Sequence, residues 1–287
     1  MTNTLVTGAS GQLASEIRYL SGRYPQYNFI FLDSSTLDIT DHSLVEQTIK
    51  EKEIHILINC AAFTFVDRAE SQPDSCEQIN HIAVRNLAIL ARDYQIKLIH
   101  ISTDYVFSGT HHKPYTEADL AKPNSIYGIT KHRGENAILD INPFNSIIIR
   151  TSWLYSSFGD NFVKKMLGLR EHRGPLSIVS DQVGTPTNAV DLAEAIIEII
   201  PFISAKKVQI YHYSNEGVCS WFDFAKSIFD ELGEEKEVAA ILSKEYQTAA
   251  TRPFYSVLDK TKIKTAFNLK IPYWRDSLKK YLSKINK

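Results

Sequence analysis

The sequence predicts an α/β fold built as a doubly wound parallel sheet, and three observations carry that prediction. Short apolar runs alternate with segments of helical spacing through the first 150 residues, the pattern of successive βαβ units. The run Ile54-His55-Ile56-Leu57-Ile58 is nearly all apolar, as a strand covered on both faces must be. Between the first run and the first helix stands Gly8-x-x-Gly11-x-x-Ala14, where missing side chains let backbone N–H groups approach an anion at a helix N-terminus. The same glycines would also serve a plain strand-to-helix turn.

The first strand enters this turn through Thr4, Leu5 and Val6, and Leu13, Ile17 and Leu20 predict a helix from Gln12 to Tyr24, stopped near Gly22 and Pro25. A second strand, Phe29 to Leu32, ends in Asp33 about twenty residues after the turn, where a carboxylate can accept from a ribose hydroxyl or cap its own loop. Thr40 or Asp41 can cap a helix from Ser43 to Glu51. The strand 54–58 leads into Asn59-Cys60-Ala61-Ala62, small enough for a cofactor to pass closely. Helical spacing resumes over 75–94 through Ile79, Ala83, Leu87 and Leu90. The strand Lys97 to Ile101 then delivers Ser102, Thr103 and Asp104 at its carboxyl end, where open parallel sheets bind ligands.

A polar loop of about twenty residues, too long for a mere connector, precedes a helix from Ile126 to Leu139 and a strand from Ile147 to Arg150. These elements predict a dinucleotide-binding domain over 1-150. Farther on the pattern is less regular: a helix over 161–169, a strand over 176–179 and a helix over 190–200. The strand 208–213 is expected to rejoin the sheet, so that about 187-213 returns to the first domain. Residues 151-287 are expected to form mainly a smaller substrate domain, with 214–287 as its lid.

Tyr127 and Lys131 lie four apart on a predicted helix and so share one face. A neighbouring ammonium favours the ionised phenol, so such a pair can exchange protons nearer neutral pH. Exposed helix pairs have the same spacing. What sets this one apart is its place after a dinucleotide turn and a Ser-Thr strand end.

Lys and Arg number 32 against 33 Asp and Glu, a formal net charge of −1, so no basic excess marks a nucleic-acid partner. Cys60, Cys76 and Cys219 are far apart, with no C-x-x-C pair, and read as buried thiols in a reducing compartment. No stretch reads as a secretory signal or reaches the roughly 18 apolar residues that span a bilayer. A cytoplasmic protein without a membrane partner is expected. His111-His112 lacks an evident third ligand, so no metal is expected there.

In combination, the Gly8–Ala14 turn, Ser102-Thr103-Asp104-Tyr105-Val106-Phe107 and Tyr127-x-x-x-Lys131 resemble the extended short-chain dehydrogenase/reductase superfamily, with its Rossmann-like nucleotide domain. Within it, Gly11-Gln12-Leu13, Leu37-Asp38-Ile39-Thr40, Ala61 to Glu70, Arg150-Thr151-Ser152-Trp153, Asp181 to Thr187 and Arg252-Pro253 resemble the dTDP-4-dehydrorhamnose reductase family. The resemblance implies NAD(P)H-dependent reduction of the C4 ketone of a nucleotide-linked 6-deoxy-4-keto sugar, dTDP-4-dehydro-L-rhamnose to dTDP-L-rhamnose, with NADPH or NADH as cofactor.

It also implies residue roles. Tyr127 would be the general acid, Lys131 would lower the Tyr127 pKa and hold the nicotinamide ribose, and Thr103 would hydrogen-bond the ketone. Gly8, Ser10, Gly11, Gln12 and Leu13 would wrap the pyrophosphate, Asp33 would meet a ribose, and Asp38 and Ile39 the adenine. Ala61, Ala62 and Thr64 would line the cofactor's middle, while Asp104, Tyr105 and Trp153 would face the substrate. Trp153 reads equally as core. Glu16 matches a position where some members place a Mg2+-linked homodimer contact, although a surface glutamate fits its helix as well.

Three departures stand out: Ala14 for a third glycine, Phe63 where His or Tyr is frequent, and Ser108 where an acidic residue is frequent. The rivals are an NDP-sugar epimerase or dehydratase, and a non-catalytic subunit resembling the β subunit of methionine adenosyltransferase. Thr103-Asp104-Tyr105 lacks the Asp-Glu pair of dehydratases, and a pure binder has no need of the Thr103, Tyr127 and Lys131 set.

Overall fold

The computed structural model describes residues 1–285. Six parallel strands form its central sheet: β1 (Thr2–Thr7), β2 (Tyr27–Leu32), β3 (Ile56–Asn59), β4 (Lys97–Thr103), β5 (Ile147–Thr151) and, four short strands later in the chain, β10 (Gln209–His212), in the order β10-β5-β4-β3-β1-β2. The chain runs outward from β1 to β2 and returns to continue through β3. The carboxyl ends of β1 and β3 therefore flank the topological switch point, where such sheets open a crevice.

Helices cover both faces because both faces of these strands are apolar. On one, α1 (Gln12–Ser21) and α8 (Ala189–Ile199) bury Leu13, Ile17, Leu192 and Ile196 against Val6, Ile58, Ile99 and Ile149. On the other, α2 (His42–Glu51), α5 (Ala83–Asp93) and α6 (Ile126–Ile141) close over Leu5, Leu57, Leu98 and Ile148. Asp41, not Thr40, caps α2, accepting from the Leu44 amide at 3.0 Å. Between α2 and α5 come the short helices α3 (Val66–Ser71) and α4 (Pro73–Glu77). The segment predicted as one helix over 75–94 contains a π-helical turn, Gln78–Ile82, joining α4 to α5.

A second core gathers α7 (Phe162–Gly168), α9 (Trp221–Leu232) and α11 (Trp274–Ile285) around Tyr155, Met166, Phe224, Phe229 and Leu278. Short strand pairs frame it: β6 (Leu154–Tyr155) with β9 (Thr187–Asn188), β7 (Leu176–Val179) with β12 (Val238–Ile241), and β8 (Val183–Gly184) with β11 (Cys219–Ser220). The expectation that 214–287 forms one lid needs correction. Within it, α10 (Thr261–Phe267) turns back, and Ile263, Phe267, Leu269 and Ile271 pack on the sheet's α1/α8 side.

Glu16 also departs from a surface reading. It is only 2% exposed, with the Ser156 and Ser157 segment beside it, because the second lobe folds over that flank of α1. The polar loop before α6 is pinned rather than loose: Tyr115 stacks on Phe107 at 4.2 Å, and Glu117 accepts from the His212 amide at 2.9 Å. Among the described residues no helix is long and apolar enough to cross a membrane, and no three His, Cys, Asp or Glu side chains cluster as a metal site.

Candidate active site

The glycine turn sits at the switch point. Gly8 holds φ +65, and a Cβ there would lie 2.7 Å from the Ala61 amide nitrogen, so only glycine lets the ends of β1 and β3 come this close. The Gly11 amide donates to the Gly8 carbonyl at 2.8 Å, and α1 starts without a side-chain cap, leaving its first amides free for an anion. Ser10 and Gly11 are exposed, Ala61 and Ala62 half-buried and Thr64 exposed along the same rim. These features fit the pyrophosphate of a dinucleotide.

The outlying residues of that set are already engaged. The Leu13 side chain is core, so only its backbone can meet a ligand. Gln12 Oε1 accepts from Asn161 Nδ2 of the second lobe at 3.1 Å. Asp33 ends β2, but its Oδ1 accepts from the Ser35 amide at 3.0 Å and hydroxyl at 2.6 Å, closing its own turn. Asp38 likewise accepts from the Thr40 amide and hydroxyl, while Ile39 is buried beside it.

Thr103 and Tyr127 are brought together by two backbone devices. Thr103 ends β4 and caps a single 3₁₀ turn, accepting from the Tyr105 amide at 3.1 Å and donating to Asp104 Oδ1 at 3.1 Å. Ser125 caps α6, and Glu70 accepts from the Ile126 amide at 2.9 Å, fixing where the helix begins. Gly128 then presses on the Tyr105 carbonyl, where a Cβ would overlap the oxygen. The result sets the Tyr127 and Tyr105 rings edge to face at 5.5 Å, with the Thr103 hydroxyl beside the phenol.

The electrostatics differ from the expectation that Lys131 lowers the phenol. Burial pushes Tyr127 well above its ordinary value, and it is the Thr103 hydroxyl that opposes this rise. The Lys131 ammonium instead donates to the Ile101 carbonyl at 2.6 Å and meets His100 Nε2 at 3.3 Å. Burial brings Lys131 down to about 8, against the pull of Glu135. Asp104, buried with Oδ2 unpartnered, is raised by burial to about 6. The site thus holds a phenol raised by burial, an ammonium lowered to about 8 and a carboxyl raised to about 6.

Trp153 stands apart from this cluster, stacked on Trp221 with ring centroids 3.6 Å apart, over Gly184, where a Cβ would come within 2.7 Å of its ring. Its φ of +46 is strained for so bulky a residue, by about 1 to 3 kcal/mol. Both rings border the second core, so Trp153 is partly a core residue as well as a candidate contact. Trp221, Phe162, Met166, Gln182, Tyr246 and Arg252 line a cavity of about 320 Å³. Arg252 reaches back from it to the first lobe, Nη1 donating to Asp67 Oδ1 at 3.0 Å and Nη2 to Oδ2 at 2.5 Å.

Sequence reasoning missed several supports. Asn80, in the π turn, donates to the Phe63 carbonyl at 3.0 Å and accepts from its amide at 2.9 Å, clamping the strand end that carries Ala61 and Ala62. Asn80 lies among apolar positions of helical spacing, and His100 inside an apolar strand; each was a visible signal. The Asp67–Arg252 pair spans 185 residues; both ends lie in segments that carry the family resemblance, but no spacing joins them.

A parallel sheet with its glycine turn at the switch point and a Thr103, Tyr127 and Lys131 group at the neighbouring strand end defines a Rossmann-type protein of the short-chain dehydrogenase/reductase kind. The chain matches the family described as "RmlD substrate binding domain" over residues 1–287, and it belongs to that family. It is similar to the dTDP-4-dehydrorhamnose reductase of Aggregatibacter actinomycetemcomitans, 40% identical, with 97% of this chain and 98% of the relative covered. A crystal structure of a dTDP-4-dehydrorhamnose reductase from Clostridium acetobutylicum superposes with a TM-score of 0.93 at 40% identity, each chain covered in full. One from Bacillus anthracis, in complex with NADP, gives 0.92 at 38% identity over 99% of this chain and 100% of that one.

Proposed function

We propose that the protein is an NAD(P)H-dependent reductase of the C4 ketone of a nucleotide-linked 6-deoxy-4-keto sugar, converting dTDP-4-dehydro-L-rhamnose to dTDP-L-rhamnose. The observation that carries the reading is the Tyr127 phenol beside the Thr103 hydroxyl, next to the Gly8–Ala61 crevice. The likeness of the whole chain to reductases of that substrate supports it. The crevice would hold a reduced nicotinamide, which would supply the hydride for C4. Thr103, its hydroxyl turned from Asp104 toward the substrate, donates a hydrogen bond to the carbonyl oxygen as charge develops there, and Tyr127 delivers its proton to the same oxygen. A phenol raised by burial stays protonated at neutral pH and is ready for that transfer; solvent returns the proton afterwards.

Lys131 would hold the nicotinamide ribose, with Gly8, Ser10, Gly11, Gln12 and Leu13 at the pyrophosphate, Asp33 at the other ribose, Asp38 and Ile39 at the adenine, and Ala61, Ala62 and Thr64 between. Asp104, Tyr105 and Trp153 face the sugar, and the second lobe within 151-287 holds its nucleotide. The test follows NADH and NADPH oxidation in parallel, with dTDP-4-dehydro-L-rhamnose generated in situ. Turnover is expected, with kcat falling by about 10² to 10⁴ in Tyr127→Phe at unchanged melting temperature. Equal turnover by that variant, or binding of NADPH without any reduction, would overturn the reading.

A further inference from the structure

Below the reacting groups a buried polar chain crosses three strands. Thr7 Oγ1, at the end of β1, donates to Asn59 Oδ1 at 2.6 Å; Asn59 Nδ2 lies 3.0 Å from His100 Nδ1; and His100 Nε2 lies 3.3 Å from Lys131 Nζ. All four side chains are at most 1% exposed, so none can exchange these partners for solvent. The registers Thr7 to Asn59 and Asn59 to His100 place three of them side by side on the face that α6 covers. His100 is therefore the link between the glycine turn and the lysine one helical turn beyond Tyr127. We propose that His100 is a positioning residue for Lys131, its imidazole oriented by Asn59 so that Nε2 fixes the lysine head and the tautomer of the ring follows the lysine's charge.

The coupling follows from counting donors. When Asn59 Nδ2 donates to Nδ1, Nε2 carries the ring hydrogen and can meet only a neutral amine lone pair. With the amide turned over, Nδ2 donates to Thr7 Oγ1, Oδ1 accepts from Nδ1–H, and the free Nε2 accepts from an ammonium. Heavy-atom positions are the same in both patterns, so the amide and ring states are assigned by the proton on Lys131. A third state, with a charged ring facing a charged lysine, is opposed by burial and by Lys131, which together hold His100 well below its ordinary value. The groups facing Lys131 are His100 from β4, Glu135 from α6, Cys60 past β3 and Cys76 from α4. The two thiols stay neutral, raised by burial.

The kinetic part of this inference rests on the reductase reading, whereas its spectroscopic part does not. Imidazole ¹⁵N shifts of histidine-labelled protein, without cofactor or substrate, should show His100 neutral throughout. Its hydrogen should move from Nδ1 to Nε2 as pH rises through about 8, where Lys131 loses its proton. Ordinary titration of the ring near pH 6.5, or one fixed tautomer through that range, would overturn the proposal even if the protein reduces no sugar. In Asn59→Asp the carboxylate locks the Nδ1–H tautomer, so the switch should vanish and the alkaline limb of kcat should rise by about one pH unit. His100→Leu should lower kcat by about tenfold or more, with His100→Gln recovering part of the loss, since its amide keeps a polar atom for Nζ. An unmoved pH profile in both Asn59→Asp and His100→Leu, in folded protein, would leave only a packing role and refute the inference.

Discussion

Lys131 and Glu135, one turn apart on α6, are both buried and yet are expected to respond to pH in opposite ways. Burial lowers Lys131 to about 8, so its ammonium is present below that value and lost above it. The rate of ketone reduction should therefore decline on the alkaline side near pH 8, a limb that Tyr127, raised far beyond it, cannot produce. A profile flat to pH 9.5, about 1.5 units beyond, would show that the lysine's charge is not needed. For Glu135, burial alone would raise the carboxyl, but the Arg150 fork at 2.6 and 2.9 Å outweighs it and brings it down to about 2. The sign is that of a depressed acid: its contribution to stability is full above the ordinary value of 4.5 and is lost as pH falls toward about 2. Arg150→Leu, which leaves that carboxylate buried and unpaired, should cost about 3 to 5 kcal/mol in urea denaturation at pH 7.

Within the elements, what decides the site is how closely backbones can approach. Gly128 allows α6 to rest on the Tyr105 carbonyl, and Gly134 allows the same helix to rest on the Asn80 carbonyl of the π turn. Gly128→Ala must push the helix or the 3₁₀ turn aside and move Tyr127 from Thr103. It should destabilise by about 1 to 3 kcal/mol and lower kcat with it. Gly168, ending α7 with open space around it, is the matched control: there Ala should stabilise by about 0.4 to 1 kcal/mol and leave turnover unchanged. Similar thermal melts for the two variants would show that the contact at Gly128 relaxes freely.

Across the whole molecule, the two cores are tied together by a few long-range polar contacts. One is the Asp67–Arg252 pair, half-exposed on the carboxylate side and so worth no more than about 1 kcal/mol. Its expected effect lies in geometry. Asp67→Ala should barely move the melting temperature and should raise KM for the nucleotide sugar, because Arg252 borders the second-lobe cavity. A large loss of stability with KM unchanged would make the pair a structural strut instead.

Much of this protein was legible in its sequence because the signals are local. Apolar runs marked the strands, the glycine turn marked the switch point, and the spacing of Tyr127 to Lys131 placed both on one helix face. The central sheet and the return of 209–212 to it follow that reading. What the sequence left open depends on partners distant along the chain. Glu16 reads as a surface residue until the second lobe covers it. The return of α10 to the sheet side, the Asn80 clamp and the His100 chain all rest on contacts between segments far apart. Local pattern determines which elements form and which backbone turns are allowed; only tertiary packing decides which side chains lose their water, and with it their partners and their charge.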